Sequence, residues 1–165
     1  MHAMTSPEEL VEFLARQGIR TKTYTHAPVF TVEESRRLRG DLPGGHCKSL
    51  FLKDKKEHLF LVVALEDKRI DLKALRKTVG AHQGLSFASP ERLKEVLGVT
   101  PGAVTPFAIF NDTDALVRVV LDRAMLRVSP LNYHPLSNDR TTAIAPEDLL
   151  VFLEKRAHEP LLVDF

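Results

Sequence analysis

Tryptophan is absent from this 165-residue chain, and cysteine occurs once, at Cys47. A lone thiol cannot close an intramolecular disulfide, and such sparing use suits a reducing cytoplasm. No apolar run approaches the ~18 residues that span a bilayer, and no signal peptide opens the chain, so a cytoplasmic protein is expected. Excess charge is missing too: 23 Lys and Arg face 22 Asp and Glu, a net charge of +1. Proteins that wrap duplex DNA carry a clear basic excess, so sequence-specific DNA binding is not expected. Several catalytic signatures are also lacking. There is no Gly-x-Ser-x-Gly elbow, no Gly-x-x-x-x-Gly-Lys phosphate loop and no Gly-x-Gly-x-x-Gly after a strand. The seven histidines are scattered, and none pairs at metal-ligand spacing on a helix. No metal and no cofactor is therefore expected.

What is present is an ordinary globular composition, 44% hydrophobic and 27% charged. The length fits a single domain over residues 1–165, with a core from about 6 to 155. Residues 1–3 precede a second methionine and read as an extension. Ser6, Pro7 and Glu9 start a helix through a capping box, and Gly18 stops it. Arg20 to Thr25 alternates as a strand. Thr31-Val-Glu-Glu34 opens a short second helix, ending near Gly40, that carries Arg36, Arg37 and Arg39. Residues 47–64 read as a β-hairpin turning at Asp54-Lys-Lys56, its second arm apolar enough for burial on both faces. Asp71 and Ser89-Pro90 cap two more helices, closed by Gly80 and Gly98. Leu116–Leu121 reads as a strand and 123–128 as its extension. Residues 129–140 read as loop, Thr141–Ile144 as a short strand, and Pro146 as the start of a last helix. The tail Leu161–Phe165 is apolar enough to dock.

The chain reads as organised around Gly98-Val-Thr-Pro-Gly-Ala-Val-Thr-Pro-Phe107, with two glycines and two prolines in ten residues. Regular helix or central strand is excluded there. The loop runs into Phe107-Ala-Ile-Phe110, which reads as a strand. Free amides around Gly102 and Ala103 at a strand entry would suit a carbonyl or phosphate oxygen. Two further loop-edge groups stand out: Lys48 at the mouth of a strand, and His134-Pro135 with Asn138 and Thr141. Cys47 with a histidine would be the makings of a thiol hydrolase, but only Lys48 next door favours a lowered thiol pKa.

Four segments carry a resemblance. They are Cys47-Lys48-Ser49 after a Gly-rich loop, Gly98-x-x-Pro101-Gly102-x-Val104-x-Pro106-Phe107, His134-Pro135-x-x-Asn138-x-x-Thr141, and the early His26-x-Pro28-x-x-Thr31-x-Glu33. Together they resemble the YbaK/prolyl-tRNA synthetase-associated editing domains (the INS superfamily) over roughly residues 6–155. Among them the chain looks most similar to the free-standing deacylases of alanyl-tRNA(Pro), known as ProXp-ala. The resemblance implies a compact α+β domain whose curved, mostly antiparallel (mixed) sheet is flanked by helices. It implies hydrolysis of the ester joining a wrong amino acid to the tRNA 3′ end. Lys48, Gly102 and His134 would then serve catalysis, and Thr31, Ser49, Pro101, Ala103, Phe107, Pro135, Asn138 and Thr141 would bind substrate. The partners implied are the alanine-charged 3′ end of tRNA(Pro) and prolyl-tRNA synthetase. The alternatives are the same chemistry on a cysteinyl or seryl ester, or a non-catalytic module that binds tRNA or a synthetase.

Overall fold

The computed structural model describes residues 6–27 and 42–165. The short helix expected from Thr31, and Thr31 itself as a substrate contact, lie outside the described residues.

Helix α1 spans Pro7–Arg16, with the Ser6 hydroxyl accepting from the Glu9 amide as the capping box requires. Its apolar stripe buries Leu10 and Leu14 completely. Strand β1 is Thr21–Thr25. The hairpin forms as read: β2 is Gly45–Lys53 and β3 is Leu59–Leu65, in a register that sets Lys48 opposite Ala64. Helix α2, Leu72–Val79, is capped by the Asp71 carboxylate, and α3, Pro90–Leu97, by the Ser89 hydroxyl. A two-residue strand β4, Ser86–Phe87, lies between them. Strand β5 is Val117–Asp122, β6 is Leu131–Tyr133, β7 is Arg140–Ile144, helix α4 is Pro146–Lys155 and β8 is Leu161–Val163.

The eight strands make one mixed sheet in the order β1-β7-β6-β2-β3-β5-β8, with β4 paired beside β2. Four pairings are antiparallel (β1 with β7, β2 with β3, β2 with β4, β6 with β7) and three are parallel (β2 with β6, β3 with β5, β5 with β8). The apolar second arm of the hairpin is buried on both faces, as its sequence demands. Leu59, Leu61 and Val63 face a large core with α1, α3 and α4. Phe60 and Val62 face a smaller one with Leu75 and Val79 of α2. The tail docks as β8 in parallel with β5, so the sheet reaches past the core boundary read near residue 155.

Three elements differ from the sequence reading. Phe107–Phe110 is not a strand but part of a 3₁₀ helix, Pro106–Asn111. Pro106 at its first position and the Thr105 hydroxyl accepting from the Phe107 amide favour a tight helical start. Burial of Phe107, Ala108 and Ile109 together then needs no strand partner. Residues 123–128 do not extend the sheet: Ala124–Arg127 turns as 3₁₀ helix, held at its start by the Ala124 amide on Asp122. The loop read over 129–140 contains β6, a strand too short for its period to register. Its pairing with β2 depends on close backbone approach. A Cβ on Gly44 (φ +100°) would lie 2.2 Å from the Pro130 carbonyl oxygen, and the Gly45 amide donates to that same oxygen at 2.8 Å.

Candidate active site

Three segments meet where β2 and β6 part. The two strands pair only at Gly45 with Leu131 and His46 with Asn132. On the same edge β2 is next paired at Leu52 and Lys53, with β4. The Phe51 carbonyl accepts from the Ala88 amide on this edge, so alternation turns the main-chain N–H and C=O of Ser49 the same way. No strand covers Ser49 there among the described residues. Ser49 and Phe51 line a cavity of about 300 Å³ together with Phe87, Leu93, Pro101 and Val104.

The loop across this gap is a 3₁₀ turn, Pro101–Ala103. Its two amides, both read as free from the sequence, differ. The Ala103 N–H donates to the Thr100 carbonyl at 2.9 Å. The Gly102 N–H, at the second position, has no acceptor inside the turn, and the Thr100 side chain does not cap it. Gly102 is exposed, and a Cβ there would sit 3.4 Å from the Asn138 amide nitrogen, so the proline-rich loop and the 134–141 loop touch.

His134 follows β6 directly. Its Nδ1 lies 3.0 Å from the Arg140 carbonyl, which can only accept, so Nδ1 carries the proton and Nε2 keeps the lone pair of the neutral ring. Burial pushes its pKa down, the Arg140 carbonyl pulls it up, and His26 pushes it down further. The net shift favours a neutral imidazole. The His26 ring centroid is 6.5 Å from that of His134, and His26 Nε2 is 2.9 Å from the Thr141 hydroxyl. The His26 amide also donates to the Asp139 carbonyl at 2.8 Å. His26 thus belongs to the site, although sequence reading left it in an opening segment without a role; its proximity depends on β1 pairing with β7, where Thr25 faces Arg140.

Lys48 is half-buried, and its ammonium donates to the Lys68 carbonyl. Strand alternation puts it with Leu50 and Leu52, while Cys47, Ser49 and Phe51 share the other face. Carried two residues on, the parallel register of β2 and β6 sets Lys48 level with His134, where the strands diverge. Cys47 faces the large core beside Tyr133, and its thiol is pushed up to about 12, by burial first and by Asp122, against a hydrogen bond from Tyr133. A thiol so protonated is a poor nucleophile.

The remaining residues sort by exposure. Phe107 is fully buried, edge-on to Tyr133 at 5.9 Å and Phe152 at 5.6 Å between centroids. It supports the loop from beneath and has no surface to offer a substrate. Ala103 and Pro135 are also buried. Pro101 and Asn138 stand at the accessible side, and Thr141 is held by His26.

The mixed sheet is thus open between two strands, with the Gly102 loop and the 134–141 loop in contact beside the opening and Lys48 level with His134 in the β2–β6 register. The sequence places the fold: residues 26–152 match the family model described as aminoacyl-tRNA editing domain, and the chain belongs to that family. It is 42% identical to the prolyl-tRNA synthetase associated domain-containing protein 1 of Danio rerio over 160 residues, covering 96% of this chain and 86% of that protein. It is 38% identical to the prolyl-tRNA editing protein ProX of Acetoanaerobium sticklandii, covering 88% and 89%. Among solved structures, the hypothetical protein APE2540 shares the fold with a TM-score of 0.75 at 20% identity, over 94% of this chain and 97% of that one. No helix among the described residues is long and apolar enough to cross a membrane.

Proposed function

We propose that this protein is a trans-editing deacylase that hydrolyses alanyl-tRNA(Pro), in the cytoplasm and in the service of prolyl-tRNA synthetase. The observation that carries the reading is the convergence of the Gly102 loop, Asn138 and His134 on the uncovered stretch of β2, within an editing-domain chain.

An aminoacyl ester is already activated, so its hydrolysis needs positioning and charge stabilisation more than a covalent nucleophile. The Gly102 N–H and the Lys48 ammonium would polarise the ester carbonyl. In the present arrangement Lys48 holds the Lys68 carbonyl, an oxygen of the same kind that a substrate would replace. A water attacks the carbonyl carbon and gives its proton to His134 Nε2. The tetrahedral oxyanion then collapses, and the ribose oxygen leaves with that proton. Ser49, Pro101, Asn138 and Thr141 would bind the substrate, with the main chain of Ala103 and the buried Phe107 and Pro135 shaping the loops. Alanine fits a synthetase pocket built for the larger proline, and a second, smaller site restores the discrimination by steric exclusion.

Deacylation of a panel of tRNA(Pro) species by the purified protein is the test. Alanine is released much faster than proline, and faster than cysteine or serine. Equal rates on alanyl and prolyl esters would overturn the reading.

A further inference from the structure

Two large apolar side chains stand exposed among the described residues, Phe87 at 63% and Leu116 at 51%. A single exposed apolar residue needs no explanation, but Phe87 does not stand alone. Its backbone is pinned on both sides, by the pairing of Phe87 with Leu52 and by the Ala88 amide on the Phe51 carbonyl. Phe87 is one of the residues that line the cavity of Ser49, Leu50, Phe51, Pro101 and Val104, beside the Gly102 loop. That lining contains no charged side chain, which suits a flat, uncharged group and disfavours a phosphate.

We propose that Phe87 is the stacking platform for the terminal base of the tRNA 3′ end. The inference rests on the editing reading, which makes the alcohol half of the ester a terminal nucleoside. With the ester carbonyl at Gly102, the base must go to one side of the loop, and the apolar cavity lies against Pro101 and Val104. Every base has a π-face, so an aromatic ring held at the surface grips a single-stranded end whatever its sequence, typically for about a 5- to 150-fold gain in affinity. A ring buried in the core could not do this, and an aliphatic side chain would do it less well.

The test uses the intact protein and a short oligonucleotide with 2-aminopurine in place of the 3′-terminal adenine. Stacking quenches that fluorophore, so titration of the wild type lowers its emission. Phe87→Ala and Phe87→Leu lose the quench and bind about 5- to 150-fold more weakly, whereas Phe87→Tyr keeps both. Circular dichroism and thermal melts establish that each variant is folded. Undiminished quenching in Phe87→Ala and Phe87→Leu overturns the inference. So does a variant whose base binding is unchanged but whose preference among acyl groups shifts, because the cavity would then hold the amino acid. On alanyl-tRNA(Pro), Phe87→Ala raises KM with little change in kcat. A wild type that quenches yet deacylates nothing would refute the editing reading and leave the base platform standing.

Discussion

Cys47 and Lys48 are adjacent, and their difference is the sharpest statement the structure makes at the scale of one residue. Alternation gives them opposite faces. The thiol goes to the core against Tyr133, with its pKa near 12, and the ammonium goes to the Lys68 carbonyl at the mouth of the strand. The sequence set both residues down as candidates, and periodicity could not choose, because both alternate sets mix polar and apolar residues. Lys48→Ala is expected to lower single-turnover deacylation by about 10²–10³, the usual loss for one oxyanion-stabilising group. Cys47→Ala keeps most of the activity and gives up some stability. A dead Cys47→Ala beside a live Lys48→Ala would return the chemistry to the thiol. Gly102 and His134 were also legible as types in motifs, but which amide is free and which ring nitrogen holds the lone pair depends on Thr100 and Arg140, distant or unremarkable in the sequence.

Among the elements, the turn of the β2–β3 hairpin is held by one carboxylate. Asp54 is 3% exposed and accepts from the amides of Lys56 at 2.9 Å, His58 at 2.9 Å and His82 at 3.0 Å, with the His58 ring at 2.8 Å. Burial alone would raise its pKa, but these hydrogen bonds outweigh it and hold the carboxyl well below the usual carboxylate range. The folded value lies below the unfolded one, about 3.9, so the stabilisation is complete above that pH and is lost as pH falls toward the folded value. Asp54→Asn is expected to cost on the order of 2–3 kcal/mol at neutral pH, since hydrogen bonds to a charged acceptor are lost. In urea titrations the gap between wild type and variant narrows below about pH 4; a gap constant down to pH 3 would refute the assignment. The sequence marked Asp54-Lys-Lys56 as a turn. It gave no sign that His82, 28 residues on, closes the same carboxylate. Helices capped by their own neighbours were legible for the opposite reason: Ser6, Asp71 and Ser89 bond amides within three residues.

For the whole molecule, a net charge of +1, together with the proposed use of the site for a single-stranded end, implies few phosphate contacts. The logarithm of tRNA affinity is expected to fall with the logarithm of salt at a slope of about −1.5 to −2, from two or three contacts at ~0.7 each. A slope near −6 in a filter-binding series would point instead to extensive backbone contact. What the sequence determined by itself is whatever has a short range or a fixed period: the capped helices, the hairpin and its turn, the doubly buried β3, the docking tail and the residue types around the site. What only the tertiary structure decided is long in sequence separation. The parting of β2 from β6 leaves Ser49 uncovered, pairing of β1 with β7 brings His26 to His134, and β4 puts Phe87 in the lining of the cavity. The strand expected at Phe107 failed for the same reason, because an apolar run records that it is buried but not whether a neighbouring strand or a tight turn satisfies its backbone.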